Sequence, residues 1–188
     1  MEVKKQYIIK RETGMILPHY SENGCLYSRV FEGTESFLVE KKPLELIDFS
    51  TAYYGHCLKG ALAAARKALG NIDMPPVKIS GILGMYWFPC SSPKKNDCVW
   101  LNIEHIIDFE AVGRRTVKVT MKHGHSIELE MSFRRFIRKY HHALSYKSIM
   151  EQRAKENGSL LLLAEEGFQV VKDPSTIHYK IKKNRKRK

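Results

Sequence analysis

The longest stretch of the chain without a charged residue runs from Ile79 to Pro93 and contains 15 residues, two of them prolines. A membrane-spanning helix needs about 20 apolar residues, so this stretch predicts no span and no membrane partner. Its centre, Met85 to Phe88, combines aromatic and apolar side chains that favour a core or an oligomer contact. Stacking of these aromatics on nucleic-acid bases is the less favoured interpretation.

The composition is that of one globular domain, because 43% of the 188 residues are hydrophobic and 28% are charged. This balance excludes a wholly disordered, collagen-like or repeat protein. Residues 1–14 carry scattered lysines and arginines without a continuous apolar core. They therefore predict no secretory signal, and we expect a cytoplasmic protein.

The four cysteines, Cys25, Cys57, Cys90 and Cys98, lack any C-x-x-C spacing. We expect free thiols, since a reducing compartment disfavours a disulfide framework. A zinc site built from Cys90, Cys98 and His105 would lack the tight ligand pairs that structural zinc prefers. Phosphate-loop, nucleophile-elbow and H-E-x-x-H motifs are also missing from the sequence. The sequence therefore predicts a protein that is not an enzyme and that holds no metal or cofactor.

Positive charge is concentrated in two segments. The chain carries 32 Lys and Arg against 20 Asp and Glu, a formal net charge of +12 with a pI near 9.5. Gly113 to Lys147 contributes nine cations and two acids, and His178 to Lys188 contributes seven cations and no acid. Together they carry +14, so the rest of the chain sums to −2. A local positive field of this kind indicates an anionic partner such as nucleic acid.

The first half of the chain predicts a β-meander followed by a helix. Short strands are expected at 7–9, 15–17, 26–31, 37–39 and 44–47, and Asn23-Gly24 favours a hairpin turn. Apolar residues recur with helical spacing from Cys57 to Leu69, and Gly70 supplies a stop. Three cations of this helix, Lys59, Arg66 and Lys67, lie outside its apolar stripe. They are candidate DNA contacts, although a solvated face is the favoured interpretation of these three cations.

A hairpin is predicted from Thr116 to Met131. A three-residue loop at 123–125 sets Val119 opposite Leu129 and Met121 opposite Ile127 on one face, with Lys118 opposite Glu130 on the other. Each face is then chemically uniform, whereas a two-residue loop would mix the faces. The longer loop is therefore favoured.

The most informative element is a long helix predicted from Phe133 to Glu156, with Ser132 as N-cap and Gly158 just past its end. Its expected apolar stripe comprises Phe133, Phe136, Ile137, Tyr140 and Leu144, and its opposite side carries Arg134, Arg135, Arg138 and Lys139. Cations in a first helical turn oppose the helix dipole at about 0.3–1 kcal/mol each. A bound phosphate would remove that conflict, so these four side chains are predicted DNA contacts, with Arg114 and Arg115 beside them. A basic face that only keeps the protein dissolved is the alternative.

The predicted fold class is α+β, with a β-rich N-terminal meander and a later hairpin packed with two main helices. Residues 1–157 are expected to form the DNA-binding domain. Residues 158–188 are expected to form an apolar segment followed by a flexible, basic C-terminal tail.

An ordered set of residues between Lys42 and His105 resembles the ComK family of bacterial competence transcription factors. The matching features are Lys42-Pro43-Leu44, Ile47-Asp48, Ser50, Tyr53-Tyr54-Gly55, Pro75-Pro76, Phe88-Pro89 and Trp100. The resemblance implies a cytoplasmic, nucleoid-associated activator of competence genes that binds duplex DNA at A/T-rich boxes. It also implies a homo-oligomer, contact with RNA polymerase, and control by an adaptor and protease of the MecA/ClpC type.

Two other functions fit the composition. One is an RNA-associated or ribosome-associated module in which residues 178–188 supply most of the affinity. The other is a scaffold that binds a protein partner through Met85 to Phe88 while its charge serves solubility.

Overall fold

The computed structural model describes residues 3–160, 168–175 and 177–183. It contains two compact units, residues 1–150 and residues 151–188. The predicted α+β class is confirmed, with three helices rather than two in the described part of the chain. No helix in these ranges is long and apolar enough to cross a bilayer.

Strands and helices are numbered in chain order. They are β1 (Val3–Lys4), β2 (Thr13–Tyr20), β3 (Leu26–Glu32), β4 (Glu35–Val39), α1 (Pro43–Tyr53), α2 (Leu58–Leu69), β5 (Val77–Ser80), β6 (Met85–Pro89), β7 (Trp100–Asn102), β8 (Ile106–Gly113), β9 (Thr116–Met121), β10 (Ser126–Leu129), α3 (Phe133–Leu160), β11 (Phe168–Lys172) and β12 (Tyr179–Lys183).

A seven-stranded sheet with the order β1-β4-β3-β2-β7-β6-β5 forms the centre of the first unit. Side chains of β6 alternate between its two faces. Met85 and Trp87 enter a core shared with α1 and α2, whereas Tyr86 and Phe88 enter a core shared with α3 and a second sheet. This second sheet has three strands in the order β10-β9-β8. Because both faces of β6 are covered, its sequence is apolar throughout instead of alternating with polar residues.

Two strands of the predicted meander are absent. Residues 7–9 join no ladder, and the Ile9 amide donates to Ser50 Oγ at 3.0 Å. Residues 44–47, predicted as a strand, lie in α1 instead. Pro43 occupies the start of this helix, where its missing N–H costs nothing, and the Glu45 carboxylate accepts from the Lys42 amide at 3.1 Å. These start signals outweigh the strand preference of the apolar residues that follow.

The junction between α1 and α2 has the hydrogen bonds of a Schellman motif. The Gly55 amide donates to the Ala52 carbonyl, and the His56 amide donates to the Thr51 carbonyl, both at 3.0 Å. Gly55 takes a φ of +83°, which side-chain-bearing residues adopt rarely. The second helix begins at Leu58, one residue later than predicted, with Cys57 as its N-cap, and it ends before Gly70 as predicted.

The hairpin formed by β9 and β10 keeps its predicted faces but not its predicted register. Val119 pairs with Ile127 and Val117 with Leu129, a shift of two residues. The loop spans residues 121–125 instead of the predicted 123–125, because the last strand pair is Thr120 with Ser126. Within the loop His123 and Gly124 have positive φ, and the Met121 amide donates to the His125 carbonyl at 2.8 Å. A two-residue shift preserves which side chains share a face.

The third helix begins at Phe133 as predicted, but it continues through Gly158 to Leu160. In the second unit, strands β11 and β12 pair as an antiparallel hairpin within the segment predicted to be a tail. Lys180 and Asp173 form an ion pair there at 2.9 Å. Residues 161–163 of the predicted apolar segment and the cations at 185–188 of the predicted tail lie outside the described residues.

Replacing Gly55 with alanine is expected to destabilise the first unit by about 1–2 kcal/mol, because an L-residue must adopt the left-handed conformation there. Denaturant unfolding of G55A and the wild type measures this loss. Gly81→Ala is the matched control, since Gly81 lacks a positive φ and an added Cβ would meet only ordinary contacts at 3.5 and 3.8 Å. Equal losses in the two variants would contradict the role assigned to the turn.

Candidate nucleic-acid interface

Three arginines at the start of α3 form an exposed surface. Arg134, Arg135 and Arg138 face solvent, and together with Ser132 and His141 they line a shallow depression. We call these three side chains the arginine surface. The opposite side of α3 is fixed by burial, since Phe136 and Ala143 are 0% exposed. Because that side of α3 packs in the core, the three arginine side chains face solvent.

The buried stripe of α3 is rotated from the one predicted. Leu144, expected inside, is 38% exposed, while Ala143 and Tyr146 take the core positions. Tyr146 packs edge-on against Tyr86, and Phe136 packs against Phe88, with ring centroids 6.0 and 5.9 Å apart. The spacing of Phe136, Ala143 and Tyr146 was the available signal, but alanine and tyrosine mark a core less strongly than leucine does.

Within the described residues, none of the three guanidinium groups forms an ion pair or a hydrogen bond with a carboxylate. Of the three arginines, Arg138 acts electrostatically on the neighbouring side chain of His142. Burial lowers the pKa of His142, and the charges of Arg138, Lys139 and His141 lower it further. The arginine surface is therefore a site of uncompensated positive charge at a helix N-terminus.

Lys139 does not belong to this surface. The prediction that it lies on the exposed side of α3 is wrong, because the residue is only 6% exposed. Its ammonium donates to the Pro89 carbonyl at 2.9 Å and contacts Met74 Sδ at 3.7 Å. Burial lowers the pKa of Lys139 to about 8, and the charges of Arg135 and Arg138 add to that effect. Lys139 thus holds α3 against the end of β6 and the loop after α2.

Arg114 and Arg115 occupy the turn between β8 and β9, where Gly113 pairs with Thr116. Both arginines are exposed. Strand β10 runs toward this turn and ends at Leu129, which pairs with Val117. Because α3 begins four residues later, the turn and the start of α3 lie at the same end of the three-stranded sheet.

The three candidates on α2 form a second basic surface. Lys59, Arg66 and Lys67 are all exposed on a helix that contains no acidic residue. Their side of α2 is opposite to Ala65, which is 0% exposed in the core. The exposed residues among the predicted DNA contacts therefore lie in two groups. One group is on α2, and the other is on the β8–β9 turn and the start of α3.

Other sequence-based candidates are buried. Met85 to Phe88 are at most 1% exposed, so the proposed protein-binding patch is core and that interpretation is wrong. Cys90 and Cys98 lie in the two different cores, and burial raises the pKa of both thiols. The ring of His105 bonds the Arg11 carbonyl through Nε2 at 2.8 Å. Among the described residues, no group of three or more His, Cys, Asp or Glu is placed to hold a metal ion.

Comparison with known proteins identifies the family. A family model described as ComK protein matches residues 4–155, a range that includes the arginine surface, the turn at Arg114 and the cations of α2. The chain belongs to the ComK family. It is 26% identical over 132 residues to the competence transcription factor of Bacillus subtilis (strain 168). The aligned region covers 70% of this chain and 68% of that protein. No solved structure matches the chain.

The buried ammonium in this ComK-family protein predicts an unusual pH dependence. Unfolded lysine keeps its proton up to about pH 10.5, whereas folded Lys139 loses it near pH 8. Between these values the unfolded state binds more protons, so the free energy of unfolding should rise with pH. The rise attributable to Lys139 is at most about 3 kcal/mol.

Lys139→Met tests this expectation, because methionine retains most of the volume and cannot titrate. Urea unfolding of both proteins at pH 7.5 and pH 10 gives the difference in stability. We expect the free energy of unfolding of the wild type to rise relative to that of K139M as the pH rises. A constant difference between the two proteins would show that Lys139 titrates normally.

Proposed function

We propose that this protein is a competence transcription factor that binds duplex DNA with the arginine surface on the phosphate backbone. The observation that carries the proposal is the set of three exposed guanidinium groups without a carboxylate partner in the described chain. The similarity to the competence transcription factor of Bacillus subtilis supports the same function.

A phosphate at this position satisfies several groups at once. The first turn of α3 presents backbone N–H groups at the positive end of the helix dipole. Arg134 and Arg135 add planar donors that match phosphate oxygens in a bidentate geometry. The repulsion among the neighbouring cations of the arginine surface diminishes when an anion binds. Duplex DNA offers such phosphates in a regular array.

Family membership supports the finer features of the proposal. We include a preference for A/T-rich boxes, activation of competence genes, self-association on DNA and contact with RNA polymerase at the nucleoid. Control by an adaptor and a protease is proposed on the same basis. The cations of α2 are proposed as additional phosphate contacts, and Lys139 is left out because it is buried.

Replacing both Arg134 and Arg135 with glutamine should weaken binding to every duplex. The slope of log K against log salt should fall by about 0.9 for each phosphate that is no longer neutralised. Fluorescence anisotropy with labelled A-tract and G/C duplexes, at several salt concentrations, measures affinity and slope together.

The matched control is K94Q/K95Q, which removes the same charge from two exposed lysines in the loop between β6 and β7. This pair is expected to change the slope less than R134Q/R135Q does. Equal effects of the two double variants would mean that net charge, and not the arginine surface, drives binding. Absence of duplex binding by the wild type at about 150 mM salt would refute the proposed function itself.

A further inference from the structure

Two histidines continue the arginine surface along α3. His141 and His142 line the same depression as the three arginines. They lie three and four residues after Arg138, the spacing at which side chains of successive helical turns lie side by side. Two imidazole rings therefore border the proposed phosphate contacts.

Among the described residues, no carboxylate lines this depression. Its lining consists of the arginine surface, the two histidines, Ser132 and Ile137. The wall thus holds three permanent positive charges and two groups that become positive when they bind a proton. An anion that enters the depression meets no acidic side chain that would compete for these groups.

Two other elements reach this part of α3 through the buried ammonium of Lys139. The end of β6 contributes the Pro89 carbonyl, and the thiol of Cys90 follows it. Burial raises the pKa of that thiol, so it stays neutral. The loop after α2 contributes Met74, and the preceding Asp73 is exposed and forms no ion pair with another described residue. Neither element therefore brings a paired negative charge to the histidines.

The surroundings of His142 oppose its protonation in the free protein. Burial lowers the pKa of His142 most, and the charges of Arg138, Lys139 and His141 lower it further. Like charges at this spacing on a helix repel each other. The free protein consequently keeps the ring of His142 neutral at neutral pH.

A phosphate bound beside Arg138 reverses this balance. Its negative charge offsets the repulsion from the neighbouring cations and favours the charged form of each ring. A protonated imidazole donates from both nitrogens, and its hydrogen bonds to phosphate oxygens are charge-assisted. Binding of the anion and binding of the proton therefore favour each other, and the coupling is reciprocal.

We propose that His141 and His142 are phosphate contacts that act in their protonated form, so that this protein takes up protons when it binds duplex DNA and binds more tightly as the pH falls. This inference rests on the proposed function and adds control of the same surface by pH. It concerns only the phosphate backbone, which carries no base sequence directly.

The direction of the pH dependence follows from His142. In the free protein the pKa of this ring lies below its ordinary value of 6.5, and the bound anion moves the pKa upward. Proton uptake is therefore greatest near pH 6, between the free and the bound values. Each proton that is fully taken up contributes a slope of −1 to a plot of log K against pH.

The test uses the full chain and the double variant H141Q/H142Q, because glutamine is polar and cannot gain a proton. H19Q is the matched control, since His19 lies on β2 and outside the depression. Fluorescence anisotropy with one duplex of mixed sequence, at constant ionic strength from pH 5.5 to pH 7.5, measures the affinities. Calorimetric titration at pH 6 in two buffers with different ionisation enthalpies counts the protons taken up.

We expect the wild type and H19Q to bind the duplex about tenfold more tightly at pH 5.5 than at pH 7.5. The affinity of H141Q/H142Q should change less than about threefold over the same range. At pH 7.5 the double variant should bind nearly as tightly as the wild type, because the ring of His142 carries no charge there. Lys139 titrates in all three proteins, so it does not affect the comparison.

Two results would overturn this inference while leaving the proposed function intact. One is wild-type binding to the duplex without proton uptake and with an affinity independent of pH. The other is a pH dependence that persists in H141Q/H142Q at an unchanged urea midpoint. The calorimetric count needs only the wild type, so it decides the question even if the double variant unfolds. A wild type that binds no duplex at either pH would refute the proposed function and this inference together.

Discussion

Strand β6 lies between two hydrophobic cores, and its side chains pack alternately into one core and the other. Met85 and Trp87 pack under α1 and α2, and Tyr86 and Phe88 pack under α3. The contacts of Phe88 with Phe136 and of Tyr86 with Tyr146 determine how α3 is rotated about its axis. That rotation decides which cations of α3 reach solvent. The exposed positive surface is thus a consequence of aromatic packing on the far side of the same helix.

Rotation of α3 also explains the most unusual charge in the molecule. Lys139 lies three residues after the fully buried Phe136 and four before the fully buried Ala143, so its side chain must point inward. Burying an ammonium is costly, and the Pro89 carbonyl at 2.9 Å offsets part of that cost. The charge remains close enough to the arginine surface for Arg135 and Arg138 to depress its pKa. The positive electrostatic field near the start of α3 therefore comes from the buried Lys139 ammonium as well as from the exposed arginines.

Local patterns predicted some elements well and others poorly, for identifiable reasons. The second helix was predicted to within one residue because its apolar spacing and its glycine stop agree with each other. The first helix was missed because the apolar residues Leu44, Leu46 and Ile47 are compatible with a short strand, and because a proline can mark a turn as well as a helix start. The hairpin kept its faces but shifted its register, since the positive φ of His123 lengthens the loop. A loop conformation of this kind is set by contacts such as that of the His125 ring with the Gly33 carbonyl, 92 residues away.

Sequence alone determined the concentration of positive charge, the faces of the hairpin formed by β9 and β10, and the resemblance to the ComK family, because each depends on the order and spacing of residues along the chain. Tertiary structure alone decided that Lys139 is buried, that Met85 to Phe88 are core, and that Arg114 and Arg115 share one end of a sheet with the start of α3. These outcomes depend on pairing between strands and on packing between distant segments. A helical wheel or a charge count contains no information about which neighbour will cover a face.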